Sequence, residues 1–345
     1  MFCTIGGARV RLCAVIVKTK IVDGSEMSDV TLQHFERAAA DIGAHGDNDT
    51  LPFDLDTRFV QQRPAELAGM AFVFYEELRR DDEKNSARKV AELGVFNERL
   101  LAPAGPAGFR VTTKIHAFWS VYFNGLGIAI ADALEDERDP RVRSYRFKRD
   151  GGEELFDRSF SWRAFREATV AEALGIADGA IVVQTDISSF YEHVSHHHIQ
   201  NALNDLFPDG RMGNQINALV GKFSAGRSFG LPVGGQASRV LAELFLNAVD
   251  QKMTVGEFRW FRYVDDYVLI ADSNADAYRA LSSGACQGTC RLSHAAKGCL
   301  SVACEAFVTT DSRSGLSVTA PMGVQSRVQP DQRAGLRSRA WTYTS

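Results

Sequence analysis

The chain has 345 residues, enough for about two or three domains with hydrophobic cores of their own. With 45% hydrophobic and 24% charged residues, its composition is that of an ordinary globular protein, which excludes a low-complexity chain. The formal net charge of −4 excludes a globally basic nucleic-acid-binding protein, so any contact with phosphates needs a local basic surface.

The N-terminal part of the chain predicts helices. A helix is expected to begin at Met27, with Ser28 as its cap and apolar residues along one side. Residues 1–27 show no helical period or capping signal, and we expect a loose tail or a start codon assigned too far upstream. Residues 31–102 predict mainly helix, and residues 105–108 predict a linker.

A basic cluster follows, ahead of the next apolar strand. Such a cluster can bind phosphates. Five acidic residues lie close by in the sequence, so a solvated charged loop is the alternative. The basic residues are Arg138, Arg141, Arg143, Arg146, Lys148 and Arg149.

Asp186 ends a predicted buried strand. Residues 180–183 are all apolar, as in a strand that is covered on both faces. Asp186 is therefore expected where the strand emerges. Ser195 then predicts a helix cap, and the three histidines at 196–198 are interpreted as the exposed first turn of that helix rather than a metal site.

A Gly-Pro loop and an acidic hairpin come next. Residues 230–236 predict a loop that opens into a helix over residues 237–253, where apolar residues recur at helical spacing. The segment 263–266, Tyr-Val-Asp-Asp, lies between two runs of β-branched and aromatic residues and predicts a β-hairpin. The adjacent carboxylates of Asp265 and Asp266 repel each other, and binding of divalent metal ions explains their presence.

The C-terminal end differs in composition. After Leu281 the apolar period ends, and residues 283–345 hold three acidic residues against seven Lys and Arg. We hypothesise that the chain is translated out of frame after about residue 283, and a divergent or flexible tail is the alternative. Uninterrupted coding support through Ser345 would contradict the frameshift. The four cysteines near His294 match no standard zinc spacing.

The sequence also allows a prediction of the cellular compartment. No segment reaches transmembrane length by inspection. Six cysteines without a secretion signal predict reduced thiols. We therefore expect a cytoplasmic protein that does not contact a membrane.

Three blocks of the chain, in this order, resemble the palm of a reverse transcriptase. Residues 185–194 (TDISSFYEHV) are similar to the first catalytic motif of that family. Residues 230–247 (GLPVGGQASRVLAELFLN) are similar to its template- and nucleotide-positioning loop and helix, and residues 261–272 (FRYVDDYVLIAD) to its Tyr-x-Asp-Asp hairpin. The SSFY and GLPVGGQASR segments most resemble bacterial defence-associated reverse transcriptases of the abortive-infection type.

The resemblance implies an α+β fold. A right-hand polymerase palm, with an antiparallel sheet backed by helices, would follow mostly helical fingers. The composition of the last region does not predict the helical thumb that such enzymes carry. The implied division is an N-terminal tail (1–27), a helical extension with the fingers (28–178), the palm (179–275, with helices inserted at about 195–228) and an irregular region in the thumb position (276–345).

The resemblance also implies two-metal-ion catalysis of nucleotide addition, with Mg²⁺ or Mn²⁺. Asp186 and Asp265 would bridge the two ions. The backbone carbonyl of Ile187 would contact the ion on the nucleotide side. Asp266, the third member of the catalytic set, would lie beside the first ion or in its second coordination shell.

Further residues would contact the nucleotide. Tyr191 would place a ring under the incoming sugar, where it would clash with a 2′ hydroxyl and so favour deoxynucleotides, with Phe190 beside it. Pro232 and Gly234 would shape the nucleotide loop. Val233 stands where many members of the family have Gln, so the backbone would have to supply that contact.

The expected activity is RNA-directed DNA synthesis. Arg146 and Lys148 are candidates for triphosphate contact. Expected partners are dNTPs, an RNA template and a DNA or RNA primer, and the subgroup also allows a non-coding RNA partner and a role in antiphage defence.

Other activities stay open. One alternative is a template-independent or protein-primed DNA polymerase of the same family, and another is a truncated, inactive nucleic-acid-binding relic. A palm-type nucleotidyl cyclase is disfavoured, because the Gly-Gly-Asp/Glu-Glu-Phe type of hairpin is absent from the sequence.

Overall fold

The computed structural model describes the backbone of residues 4–5, 8–9, 30–48, 54–104, 108–150, 154–176, 180–187, 189–290, 302–311, 315–319 and 325–327. The predicted N-terminal tail lies outside these ranges, except for a short antiparallel pair of strands, β1 (Thr4–Ile5) and β2 (Ala8–Arg9).

Four helices follow residue 30. The first begins at Leu32, because the Thr31 N–H donates to His34 Nδ1 at 3.1 Å and closes the first turn. The prediction that Ser28 caps this helix is therefore wrong. The helices are α1 (Leu32–His45), α2 (Asp54–Gln62), α3 (Pro64–Arg80) and α4 (Glu83–Leu93).

A β-hairpin comes next, where the sequence predicted helix and a linker. Strand β3 (Asn97–Ala104) pairs antiparallel with β4 (Gly108–Ile115) along eight residues each. The inner end of β4 is buried, including Thr112 and Thr113. β-branched residues suit such a pleated, half-buried surface, and this preference outweighs the helical pattern before it.

Helix α5 (Ala117–Leu134) is apolar almost all round and lies in the core. By length and composition the segment Ala117–Glu137 could cross a membrane, but its most apolar window of 18 residues, with a mean hydropathy of 1.3, is 83% buried inside the protein. The expectation that no segment approaches transmembrane length is thus corrected. A short 3₁₀ turn (Glu135–Glu137) follows the helix.

The remaining elements agree with the strand, loop-helix and hairpin pattern of the sequence. The predicted strand, the helix after the Gly-Pro loop and the Tyr-Val-Asp-Asp hairpin are all present. In chain order, the elements after the 3₁₀ turn are α6 (Trp162–Leu174), β5 (Ile181–Ile187), α7 (Phe190–His193), α8 (His196–Leu206), α9 (Arg211–Phe223), α10 (Gln236–Val255), β6 (Arg259–Tyr263), β7 (Asp266–Ala271) and α11 (Asn274–Cys290).

The central sheet is antiparallel throughout its described strands. Three further strands, β8 (Val302–Asp311), β9 (Gly315–Thr319) and β10 (Gln325–Arg327), complete the order β10-β9-β8-β5-β7-β6. An antiparallel sheet with helices packed around it is the α+β class that the sequence predicted.

The region 276–345 was expected to be irregular. Its described part instead contains most of α11 and the three strands β8, β9 and β10. Strand-forming residues such as Phe307, Val308 and Thr309 explain the difference, since β-structure does not need the helical period that the sequence loses there. The division of the chain into domains stays a prediction.

The largest apolar cluster joins α1, α3 and α5 with α8, α9 and α10. Helix α5 approaches α10 so closely that a Cβ atom added to Gly127 would lie 2.7 Å from Ala237 Cα. Two smaller clusters cover the sheet, one around Trp260 and Leu269 and the other around Phe165. The sheet is thereby held against α10, the helix that follows the Gly-Pro loop (residues 230–236, called the glycine loop below).

Candidate active site

The three aspartates meet at one end of β5 and β7. The pairing of these strands sets Asp186 opposite Asp266, and the β6–β7 pairing sets Tyr263 opposite Asp266. Val264 and Asp265 therefore form the two-residue turn of the hairpin. Val264 has a φ of 56°, in the left-handed region that β-branched residues rarely adopt.

Asp186 and Asp265 lie close together, since Asp186 is paired with Asp266, the residue that follows Asp265. Asp265 is half-buried, and its removal from water raises the pKa of its carboxyl above the usual range. The negative charge of Asp186 acts in the same direction, while Arg110 and Arg262 oppose it. Two carboxylates in this arrangement repel each other, so a cation bound between them would lower their electrostatic repulsion.

The donor set fits Mg²⁺ or Mn²⁺. Among the residues that the structure describes, no group of three or more His, Cys, Asp or Glu side chains is arranged to hold a metal ion. Mg²⁺ nevertheless needs only one or two carboxylates when substrate phosphates and waters complete its shell. Asp186 is exposed and Asp265 is half-buried, so both can be reached from solvent. The roles of the Ile187 carbonyl, at the end of β5, and of Asp266 stay predictions.

The nucleotide loop predicted from the sequence is attached to the β3–β4 hairpin. The Val233 carbonyl accepts a hydrogen bond from the Thr112 hydroxyl at 2.8 Å and another from the Thr113 N–H at 2.9 Å. Pro232 is buried next to it. The Val233 carbonyl is thus already bonded within the protein, so this backbone oxygen does not supply the contact that the missing Gln would make.

Gly234 allows the close approach of the loop to the N-terminal helices. Its φ is 124°, and a Cβ atom there would lie 2.1 Å from Asn48 Nδ2. The following helix, α10, is capped from α5, since the Ala237 N–H donates to Asn124 Oδ1 at 2.8 Å. The loop conformation therefore requires glycine at this position.

The other end of the loop is held by α7 and α8. The Leu231 N–H donates to the Tyr191 carbonyl at 2.7 Å, and His196 Nε2 lies 2.7 Å from the Gly230 carbonyl. His196 is only 4% exposed, so the expectation of an exposed first turn is wrong for this histidine, whereas His197 is exposed and His198 half-buried. Burial lowers the pKa of His196, so the ring is neutral and donates to the carbonyl.

Tyr191 lies near the catalytic turn. Its ring is half-buried, burial raises the pKa of its hydroxyl well above the usual value, and the charge of Asp265 contributes in the same direction. Phe190 differs, because it is 5% exposed and packs against Tyr191 and Phe245 with ring centroids 5.6 and 6.0 Å apart. The structure therefore places Phe190 in the core and the half-buried Tyr191 at its edge, where the charge of Asp265 acts on its hydroxyl.

Arg146 and Lys148 are engaged in contacts within the protein. The Arg146 guanidinium forms an ion pair with Glu135 at 2.5 Å and donates to the Asp139 carbonyl at 3.0 Å. Lys148 pairs with Asp150 at 3.4 Å. The structure brings neither side chain into a described contact with the aspartates, and their role at the triphosphate stays a prediction.

Arg110 is a basic residue that the sequence reasoning did not single out. It lies on β4, is exposed, and its positive charge acts on Asp265. The hairpin carries it towards the catalytic turn. Recognition of β3 and β4 as a hairpin in the sequence would have been the signal, since Arg110 follows the turn by only a few residues.

Comparison with known proteins gives a distant structural similarity. No protein-family profile and no curated protein matches this chain. A solved structure of apo telomerase from Candida tropicalis is similar over 71% of this chain, with a TM-score of 0.43 and 11% sequence identity. The chain spans about half of that telomerase chain, 51% of its length.

Proposed function

We propose that this protein is a reverse-transcriptase-like polymerase that adds deoxynucleotides to a 3′ end on an RNA template. The observation that carries the proposal is the meeting of Asp186 and Asp265 at the end of the sheet, beside Tyr191. The resemblance of the three sequence blocks to a polymerase palm supports the same chemistry.

The reaction joins the primer to the nucleotide. The 3′ hydroxyl oxygen attacks the α-phosphorus, the bond from that phosphorus to the β-phosphate oxygen breaks, and pyrophosphate leaves while the hydroxyl proton passes to water. Mg²⁺ or Mn²⁺, when bound, supplies charge stabilisation at the attacking and leaving oxygens. Asp186 and Asp265 would hold the ions in this position.

Two other side chains would act on the nucleotide. The Tyr191 ring would exclude a ribose 2′ hydroxyl, and the backbone of Tyr191 is held at the loop because its carbonyl accepts from the Leu231 N–H. Arg110, exposed on the hairpin strand, would contact the triphosphate with a charge-assisted hydrogen bond. The glycine loop, attached to the same hairpin through Val233, would hold the Tyr191 ring and the Arg110 side chain in fixed positions relative to each other.

The test is incorporation of labelled dNTPs by the purified full chain with Mg²⁺ or Mn²⁺. Wild type is compared with Asp265→Ala, and Asp272→Ala is the matched control, because Asp272 lies just after β7 and pairs with Arg259 at 2.7 Å. We expect a loss of at least about a thousandfold in Asp265→Ala, and near wild-type incorporation in Asp272→Ala.

The template decides between the alternatives. Incorporation only with an RNA template and primer supports reverse transcription, whereas incorporation without a template supports the untemplated or protein-primed activity. No incorporation by folded wild-type protein supports the inactive nucleic-acid-binding relic.

A role in bacterial antiphage defence is proposed on the motif resemblance alone. It is tested by plating phage on cells that express the wild type or Asp265→Ala. Protection that depends on Asp265 supports defence, and equal plaque counts in the two strains contradict it.

A further inference from the structure

The turn that carries Asp265 needs support from outside itself. Val264 precedes Asp265 and has a φ of 56°. A β-branched residue held in the left-handed region carries strain and persists only where its surroundings fix it. The direction of the Asp265 side chain therefore depends on what holds the Val264 peptide groups.

Both polar backbone atoms of Val264 are bound by side chains. The Val264 N–H donates to Ser144 Oγ at 2.9 Å, and the Val264 carbonyl accepts from Arg262 Nη1 at 2.8 Å. Ser144 is 1% exposed and Arg262 is fully buried. Val264 itself is half-buried, so a backbone group that lost its partner would be left only partly accessible to water, at a cost in free energy.

The Ser144 hydroxyl has a fixed direction. It donates its proton to Glu243 Oε1 at 2.7 Å, which leaves the oxygen lone pairs for the Val264 N–H. The Ser144 carbonyl accepts from Arg138 Nη2 at 2.6 Å, so the backbone of Ser144 is also bound. Ser144 therefore acts as a fixed acceptor.

Behind Ser144 and Arg262 lies a buried ion network. Glu243 accepts from Arg138 at 2.7 Å and pairs with Arg262 at 2.8 Å. Asp250 binds Arg262 through two nitrogens, at 3.0 and 2.6 Å. Two arginines against two carboxylates leave the network neutral, and a fully satisfied network of this kind rigidifies its surroundings.

We propose that Ser144 is a positioning residue, which holds the strained Val264 peptide and so directs the Asp265 carboxylate towards Asp186. Ser144 lies ahead of the palm in sequence, Glu243 lies on α10 and Arg262 on β6, so the bond network couples three separate segments to one turn. The catalytic consequence rests on the proposed polymerase function, whereas the positioning of the turn does not.

The variant that tests this is Ser144→Ala, which removes the acceptor of the Val264 N–H. Ser86→Ala is the matched control, since Ser86 is another buried serine, on α4, outside the hairpin. Ser144→Cys keeps a weaker sulfur acceptor of similar size and is expected to be intermediate.

The first measurement is hydrogen exchange of the peptide that covers residues 261–267, in the full chain. We expect exchange of the turn to accelerate at least tenfold in Ser144→Ala and to stay unchanged in Ser86→Ala. If Ser144→Ala does not fold, Ser144→Cys against wild type decides the question. Unchanged exchange in the turn would overturn the proposal.

The second measurement is Mn²⁺ binding by electron paramagnetic resonance, together with dNTP incorporation. We expect weaker Mn²⁺ binding and a loss of incorporation of about ten- to a hundredfold in Ser144→Ala, partly restored at high metal concentration. If Ser144→Ala only lowers the stability of the whole protein, its melting temperature falls as in Ser86→Ala and a high metal concentration does not restore incorporation. That result would contradict a positioning role.

The two proposals fail differently. An inactive wild type whose turn loosens in Ser144→Ala would overturn the polymerase and leave the positioning intact. An active wild type with an equally active Ser144→Ala would overturn the positioning and leave the polymerase intact.

Discussion

Asp265 is a residue whose charge costs stability when no cation is present. Burial and the charge of Asp186 both raise the pKa of Asp265, so the folded chain binds this proton more tightly than the unfolded chain. The free energy of unfolding therefore falls as pH rises from the unfolded pKa through the raised folded pKa, and the full penalty remains at neutral pH.

Asp265→Asn removes this penalty. In the presence of a chelator at pH 7, we expect the variant to be about 0.5–2 kcal/mol more stable than wild type, the range typical of relieving a strained functional site. The gain should vanish below the unfolded pKa, where Asp265 is neutral in both states. Thermal unfolding between pH 3.5 and 7.5 checks this, with Asp272→Asn as the exposed control. A wild type more stable than Asp265→Asn at pH 7 would contradict it.

Arg110 gives a prediction about substrate binding and pH together. Because its charge lowers the pKa of Asp265, Arg110→Ala should raise that pKa further and move the acidic limb of dNTP incorporation to higher pH. Loss of a charge-assisted contact to the triphosphate should raise the KM for dNTPs about tenfold. Steady-state incorporation across pH measures both effects.

The control for Arg110 is on the neighbouring strand. Arg99→Ala, an exposed arginine on β3, should leave both the KM and the acidic limb unchanged. Equal effects of the two substitutions would mean that only the overall charge of the hairpin matters.

The position of single residues was predictable from the sequence where it follows from the local strand pattern. Asp186, Asp265 and Asp266 end or join strands, and their order along the chain sufficed to place them together. Ser144 and Arg110 were not predictable in this way. Each acts on the Asp265 turn from more than a hundred positions away in sequence, and no local pattern specifies such a contact.

The glycine loop is the element whose geometry most restricts substitution. In Gly234→Ala, alanine would have to adopt a φ of 124° with its Cβ 2.1 Å from Asn48 Nδ2. We expect a loss of about 1–3 kcal/mol of stability and a fall in incorporation, because the loop must shift. Urea unfolding and incorporation assays measure the two effects.

Two further variants separate the causes. Gly221→Ala lies within α9 with no atom within 4 Å of the new Cβ, so it should leave activity unchanged and stabilise the helix by up to about 1 kcal/mol. Adding Asn48→Ala to Gly234→Ala removes the clash but not the strained φ, so the pair should cost less than the sum of its parts. Additive losses would mean that the two side chains do not meet.

Helices and strands were predicted correctly where the apolar residues recur with a single regular spacing. The helix after the Gly-Pro loop shows regular apolar spacing and appears as α10. The β3–β4 hairpin was missed, because β3 carries few strand-forming residues and is mostly exposed, while β4 is held by the bonds of Thr112 and Thr113 to the Val233 carbonyl. Tertiary contacts, rather than the local sequence, decide such a segment.

At the scale of the whole molecule, the core crosses the boundary that the sequence predicted between residues 178 and 179. One apolar cluster contains residues of α1, α3 and α5 as well as α8, α9 and α10. The Arg138–Glu243 ion pair, at 2.7 Å, crosses the same boundary. Segments that share buried surface in this way lose it together when either one opens.

The hairpin β6–β7 packs in a second cluster, which also contains Met253 of α10. The chain is therefore expected to unfold as one unit over these segments and the hairpin. In urea, pulsed hydrogen exchange should show that peptides from α5 and from β6–β7 lose protection at the same midpoint. Gly127→Ala places a Cβ atom 2.7 Å from Ala237 Cα, and this overpacking should cost about 1–3 kcal/mol.

Although Gly127 lies in α5, its substitution should lower the midpoint of the β6–β7 peptide as much as that of α5. Gly69→Ala, in α3 with no atom within 4 Å of the new Cβ, should lower neither midpoint. If Gly127→Ala shifts only the α5 peptide, the two halves unfold separately and the predicted boundary is a true domain border. A common shift would instead mean that the two clusters open together through α10, which contributes residues to both, so that the hairpin carrying Asp265 is stabilised by the same core as α5.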